Sequence, residues 1–252
     1  NAIERGSRDH WTLSPKRAAA MRTAATPSAK AAEGDDDSFR FANQSGTVVP
    51  AKFYEEALKQ PDLRDPRGYI IPRDQADFPT AVKFINTLAK SGIAIHRATA
   101  DFTVAGKNYP AGSYIVKAAQ AFRPFVLDMF EPQDHPNDFL YAGGPPVAPY
   151  DSAGWTIAYQ MGVKFDRVLD GFDGPFERLP WGQQQNPPAG TAGTGTGGWL
   201  VSHRANNSFI LLNRLLKAGA DVYWLKTPPA GHPGFGAGSL YIPASESAKP
   251  IV

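Results

Sequence analysis

One stretch of this chain occurs twice in diverged form, and that recurrence limits the folds open to it. In the first copy, Gly68-Tyr69-Ile70-Ile71 is followed by a helix-spaced run to Lys90, then Ser91-Gly92, a strand to His96 and Ala111-Gly112-Ser113-Tyr114-Ile115. In the second, Gly198-Trp199-Leu200-Val201 is followed by a helix over Ala205 to Lys217, then Ala218-Gly219, a strand over Asp221 to Leu225 and Ala237-Gly238-Ser239-Leu240-Tyr241-Ile242. Each copy reads as a short apolar strand, an amphipathic helix stopped by glycine, a second strand and a hairpin return. Two such units can share a sheet covered by helices. The expected fold class is therefore α/β, a layered sheet with helices built from two diverged β-α-β-hairpin units.

Other elements follow from local signals. Ser14-Pro15-Lys16 offers an N-cap with proline in the first turn, opening an Ala-rich helix to about Thr23 or a little further. From Ala24 to Val49 the composition turns to Ala, Ser, Thr, Gly and the run Asp35-Asp36-Asp37, which reads as a linker. A short helix is expected over Ala51 to Lys59. Phe102-Thr103-Val104 and the Ala105-Gly106-Lys107 turn form a small hairpin before the strand Ser113 to Val116. A helix over Ala121 to Phe130 would place Phe122, Phe125, Val126, Met129 and Phe130 on one apolar face, with the Pro-rich run after Glu131 stopping it. A capped helix over Ala153 to Met161 and a strand over Val163 to Leu169 follow. Residues 180–198 are rich in Gly, Pro, Gln and Thr and read as a flexible loop whose glycines match no phosphate-binding spacing.

Composition narrows the chemistry. With 26 basic and 24 acidic residues the formal net charge is +2, which supplies no field to gather nucleic acid or anionic membrane. There are no cysteines, so thiol catalysis, disulfides and thiolate metal sites are excluded. No apolar run approaches the roughly 20 residues that a membrane-spanning helix needs. The first residues lack the apolar core of a signal peptide. Starting on Asn1 and stopping on Lys249-Pro250-Ile251-Val252, the chain reads as a piece of something longer.

The five histidines, His10, His96, His135, His203 and His232, lie far apart in sequence, and no HExxH, HxxE or HxH pattern occurs. Gln133-Asp134-His135-Pro136-Asn137-Asp138 is the densest polar cluster. Asp134 or Asp138 could orient His135 as a base, with Arg123 or Asp128 nearby; the favoured reading is that Asp and Asn cap turns around the prolines while His135 donates to a carbonyl. Neither Gly-Ser-Tyr at 112–114 nor Gly-Ser-Leu at 238–240 is a GxSxG elbow. Trp155, Tyr159, Trp199 and Trp224 stand at core spacing and read as packing. Arg73 and Arg204 follow a strand in each copy, where an open α/β sheet places its ligand crevice. They are candidates for a small or peptide-like ligand, with helix capping as the structural alternative.

The strings IERGSRDHWT (Ile3 to Thr12), GYIIPRDQADFPTA (Gly68 to Ala81), YPAGSYIVKAAQAFRPFVLDMFEPQDHPND (Tyr109 to Asp138), PPVAPYDSAGWTIAYQMGV (Pro145 to Val163) and FDGPFE (Phe172 to Glu177) resemble the carboxy-terminal region of large bacterial zinc carboxypeptidase-like proteins. The resemblance covers about two thirds of the chain. It implies a secreted or periplasmic parent metallopeptidase whose upstream carboxypeptidase A-type domain holds zinc through two histidines and a glutamate, while a second glutamate activates water. None of those motifs has a matching position here, so no catalytic or metal residue carries over. The resemblance also implies a class I glutamine amidotransferase-like fold. Without cysteine, the chain cannot supply that fold's nucleophilic thiol.

The expected organisation is then the tail of a catalytic domain or a connecting helix over residues 1–23, a linker over 24–50 and an accessory domain over 51–252, truncated at its C-terminus. The expected role is a non-catalytic module supporting peptide hydrolysis by the upstream domain, which would be its partner. The alternative is a module that binds peptides or cell-wall fragments, with Arg73, Arg204, Arg123, Asp134 and His135 as candidate contacts.

Overall fold

Two helices open the chain in the computed structural model, which describes residues 1–29, 54–132, 139–148, 156–194 and 196–252. Helix α1 spans Ala2–Ser7 and α2 Pro15–Ala29, the latter capped by Ser14, whose Oγ accepts the Arg17 N–H at 3.3 Å. Helix α2 continues to Ala29, six residues into the stretch read as linker; the rest of that stretch lies outside the described residues. Of the helix expected over Ala51 to Lys59, Tyr54–Leu58 is a π-helical turn, and a 3-10 turn at Pro61–Leu63 leads into the body.

Strand β1 (Gly68–Ile71) runs into α3 (Phe78–Lys90). Asp77 caps this helix, accepting the Thr80 N–H at 3.2 Å and the Thr80 hydroxyl at 2.7 Å. The i, i+3, i+4 spacing of Phe78, Ala81, Val82, Phe84, Ile85, Leu88 and Ala89 buries one face of α3. Gly92, at φ +87°, ends it. Strand β2 (His96–Ala98), the hairpin β3 (Phe102–Val104) and β4 (Lys107–Tyr109), and β5 (Tyr114–Lys117) follow. Then come α4 (Arg123–Phe130), the short α5 (Ile157–Gln160), β6 (Asp166–Val168) and β7 (Phe176–Arg178). Phe122, which spacing places on the apolar face of α4, precedes its first turn and is half exposed; Arg123 is buried instead.

The architecture is mixed α/β with antiparallel sheets. One sheet has the order β6-β1-β5-β2-β7, and each neighbouring pair is antiparallel. Strands β1 and β2 therefore point the same way, as a helical crossover requires, and the return strand β5 inserts between them. The second unit repeats this plan: β8 (Gly198–Val201), α6 (Asn207–Lys217), β9 (Tyr223–Trp224) and β10 (Leu240–Pro243) give the order β8-β10-β9.

The match extends to individual hydrogen bonds. Gly112 N–H donates to Ala98 O at 2.8 Å, and Gly238 N–H to Leu225 O at 2.7 Å. The return bonds, Ala98 to Ser113 and Leu225 to Ser239, measure 2.9 and 2.8 Å. At the helix ends, Ile93 N–H to Leu88 O and Ala220 N–H to Leu215 O are both 3.0 Å.

The expectation that the two units share one sheet is corrected: they form separate sheets. The strands beside the first unit are β6 next to β1 and β7 next to β2, not strands of the second unit. The units meet instead at their helix N-termini, where Asn206 donates its N–H to Asp77 at 3.0 Å and its side-chain amide to Thr80 Oγ1 at 3.1 Å.

Alternation divides the five-stranded sheet into two packed faces. Tyr69, Ile71, Tyr114 and Val116 pack with α3 and α4; Ile70, Ile115, Ala98 and Val168 pack under the β3–β4 hairpin with Phe172 and Phe176. The second unit has a smaller core of Leu215, Ala220, Ile242 and Ala248. No helix among the described residues is long and apolar enough to cross a membrane.

Candidate functional site

Two networks of ionisable groups lie at the two ends of α4. At its start, Arg123 is buried and its guanidinium Nη2 donates to Asp65 Oδ2 at 2.6 Å. The same oxygen accepts His10 Nδ1 at 2.8 Å and the Thr12 hydroxyl at 2.7 Å, while the Thr12 N–H donates to Asp65 Oδ1 at 3.1 Å. Burial alone would raise the Asp65 carboxyl; the hydrogen bonds from His10, Thr12 and Arg123 outweigh it and hold the group below its ordinary value. Arg123 Nε is buried without a partner among the described residues.

These contacts close a strap. Residues Asn1 to Thr12 lie along the body, and a Cβ at Gly6 would collide with the Ala118 carbonyl. Arg67 donates to the Gly6 and Ser7 carbonyls, Trp11 Nε1 to Gln60 O at 2.8 Å, and Asp65 N–H to His10 O at 2.9 Å. Asp65 is the anchor of the strap because its carboxylate and its backbone are both engaged by residues 10–12.

At the other end of α4, Glu131 accepts the buried Tyr69 hydroxyl at 2.8 Å and Arg167 Nε at 2.9 and 3.1 Å. Burial first, then the Glu131 carboxylate, push the Tyr69 hydroxyl well above its ordinary pKa, so it stays a donor. Arg167 also donates to Arg64 O at 2.7 Å. Beside this network opens a cleft of about 1200 Å³, lined by Asp74, Gln75, Lys107, Glu131, Tyr159, Arg167 and Arg204 among others. Gln75 is fixed at its mouth by exchange with the Lys164 backbone at 3.0 and 3.2 Å, and Lys107 by Asp166 at 2.6 Å.

The residues expected to contact a ligand are separated by this arrangement. Arg204 lines the cleft. Arg73 does not: its side chain lies over Gly112, where a Cβ would meet its Cδ at 3.0 Å, and its N–H donates to Ser113 Oγ at 3.1 Å. Arg123 is committed to Asp65. Asp134 and His135, with the rest of 133–138, lie outside the described residues. Tyr159 and Trp224, expected as packing, are more than half exposed, whereas Trp199 is partly buried against the second core; Trp155 lies outside the described residues.

Sequence reading missed His10, Thr12, Asp65, Tyr69, Glu131 and Arg167. Asp65 and its partners stand more than 50 residues apart, so no local spacing could reveal them. Among the described residues, no group of three or more His, Cys, Asp or Glu side chains converges as a metal site. No family model, curated protein or solved structure matches the chain.

Proposed function

We propose that this chain is a non-catalytic accessory module of a zinc metallocarboxypeptidase-like protein, supporting peptide hydrolysis by a separate zinc-bearing domain of the same polypeptide. One observation carries the reading: the string Ile3 to Thr12, which bears part of the resemblance, is spent on docking. Gly6 permits close approach to Ala118, and His10, Trp11 and Thr12 each hold the body through a named bond. A segment fastened this way fixes the orientation of whatever polypeptide it joins. By the same resemblance, the setting would be periplasmic or extracellular and the fold class I glutamine amidotransferase-like. The two β-α-β-hairpin units would be diverged copies.

Zinc titration with a peptidase assay on the isolated chain tests this. The expected result is neither stoichiometric tight zinc binding nor hydrolysis of carboxypeptidase substrates; either one overturns the accessory role.

A second reading, a module that binds peptides or cell-wall fragments, is favoured by the cleft beside Arg204 and Glu131. Calorimetry with such fragments should then give heats that Arg204→Ala abolishes and Arg73→Ala leaves intact, because Arg73 lies outside the cleft lining.

A further inference from the structure

The sheet face under the hairpin is only partly covered. Phe102, Val104, Tyr109, Phe172 and Phe176 close over Ile70, Ile115 and Ala98. Towards the α1 side that cover stops, and three basic side chains stand on adjacent strands. His96 on β2 is directly opposite Arg178 on β7 and Ile115 on β5, and Lys117 is two residues along β5 on the same face. A groove of about 480 Å³ runs past them, lined by Ile3, His96, Lys117, Phe122, Arg178 and Trp181.

The charge in this groove is not balanced from within. Lys117 has Asp173 at 3.1 Å, an acid whose side chain is largely in solvent. The Arg178 guanidinium has no hydrogen bond or ion pair among the described residues. His96 Nδ1 is buried and has no hydrogen-bond partner among the described residues. Burial first, then Lys117 and Arg178, push the His96 imidazole below its ordinary value, while Asp173 opposes them.

The walls are aromatic. Phe122 is 50% and Trp181 70% exposed, and both rings reach the same glycine: a Cβ on Gly92 would meet Phe122 Cε2 at 3.2 Å and Trp181 Cη2 at 3.4 Å. Gly92 thus ends α3 and also gives these rings room.

We propose that this groove is a binding site for small aryl carboxylates, with the carboxylate on Arg178 beside His96 and Lys117 and the ring against Trp181 and Phe122. A planar guanidinium takes a carboxylate through two parallel hydrogen bonds, and an aromatic wall gains most from a flat apolar partner. An inorganic anion would leave the rings wet, and a neutral aromatic would leave Arg178 unpaired. This site is separate from the cleft beside Arg204 and does not depend on the accessory role.

The probe is 3-phenylpropionate, with 3-phenylpropionamide and inorganic phosphate as comparators, followed by Trp fluorescence and by NMR shifts of the full 252-residue chain. We expect saturable binding of the acid that is at least tenfold weaker for the amide and for phosphate. Arg178→Ala, Arg178→Gln and Trp181→Ala should weaken the acid at least tenfold, and Arg204→Ala should leave it unchanged. Absence of saturable binding, equal binding of acid and amide, or full retention in both Arg178 variants overturns the proposal.

Discussion

The two β-α-β-hairpin units share a strand order and a hydrogen-bond pattern but differ in how much they bury. In the first, β1 is wholly buried, α3 hides one face, α4 covers the sheet from the same side, and β6 and β7 occupy both edges. In the second, β8 is only partly buried and the β8-β10-β9 sheet has no further strand at either edge among the described residues. Phe209, Ile210 and Leu216 of α6, with Tyr223 and Trp224 of β9, are about half exposed. Where the first unit has its β3–β4 hairpin, the second has residues 226–236, rich in proline and glycine, with turns but no ladder. Topology in both is set by short-range signals: a glycine at positive φ after the helix and another before the return strand. Stability is set by what flanks the three strands, and there the units part.

The largest expected effect comes from the flanking element of the first unit. Phe130, fully buried, stacks on Tyr69 at 4.1 Å and meets Phe84 edge-on at 5.1 Å. Phe130→Ala should cost about 3–5 kcal/mol, whereas Leu216→Ala on the exposed side of α6 should stay within about 0.5 kcal/mol. Urea unfolding of both variants measures the contrast. Equal losses would break the comparison, showing that α6 is covered in solution. Amide exchange sharpens it: α6 should open at lower free energy than α3.

Next in size is the strap, which has no counterpart on the second unit among the described residues. Removing the Arg123 guanidinium deletes the charge-assisted bond to Asp65, a loss of about 1.5–3 kcal/mol for hydrogen bonds of this class. The sign with pH follows from the lowered Asp65 carboxyl. Its contribution is fully present above the unfolded value of about 4 and is lost as pH falls through the lower folded value. The stability gap between the native chain and Arg123→Ala should therefore shrink in acid, read from urea midpoints across pH 2–6, a window of roughly that span around the Asp value. A gap independent of pH would mean that Asp65 is not what Arg123 serves.

Legibility in the sequence divides along the same line. The units, the Gly92 stop, the Ser14 cap and the hairpin are readable because each rests on neighbours a few residues apart. The separate sheets were not, since β6 and β7 come to β1 and β2 from distant segments of the chain. Phe122 was misplaced because periodicity fixes a face but not the turn at which the helix begins. Tyr159 and Trp224 were read as packing because spacing cannot report how much cover a face receives. The Asp65 cluster joins residues 10, 12, 65 and 123, and pairs that distant leave no periodic trace. Arg73 and Arg204 were paired by repeat position, yet only Arg204 lines the cleft.

The smallest effect tests the comparison at a single equivalent atom. Ser113 Oγ donates to Pro110 O at 2.8 Å and accepts the Arg73 N–H at 3.1 Å; Ser239 Oγ, at the same place in the second unit, is buried with no partner among the described residues. Ser113→Ala removes the acceptor of the Arg73 N–H and the donor to Pro110 O and should cost about 0.5–1.5 kcal/mol, the net range for a hydrogen bond. Ser239→Ala removes a hydroxyl whose burial is uncompensated, so it should be neutral or stabilising by a few tenths of a kcal/mol, roughly. Paired thermal melts decide it. A Ser239→Ala loss as large as that of Ser113→Ala would show that the second hydroxyl has a partner in solution, and that the two hairpin returns are alike in energy as well as in geometry.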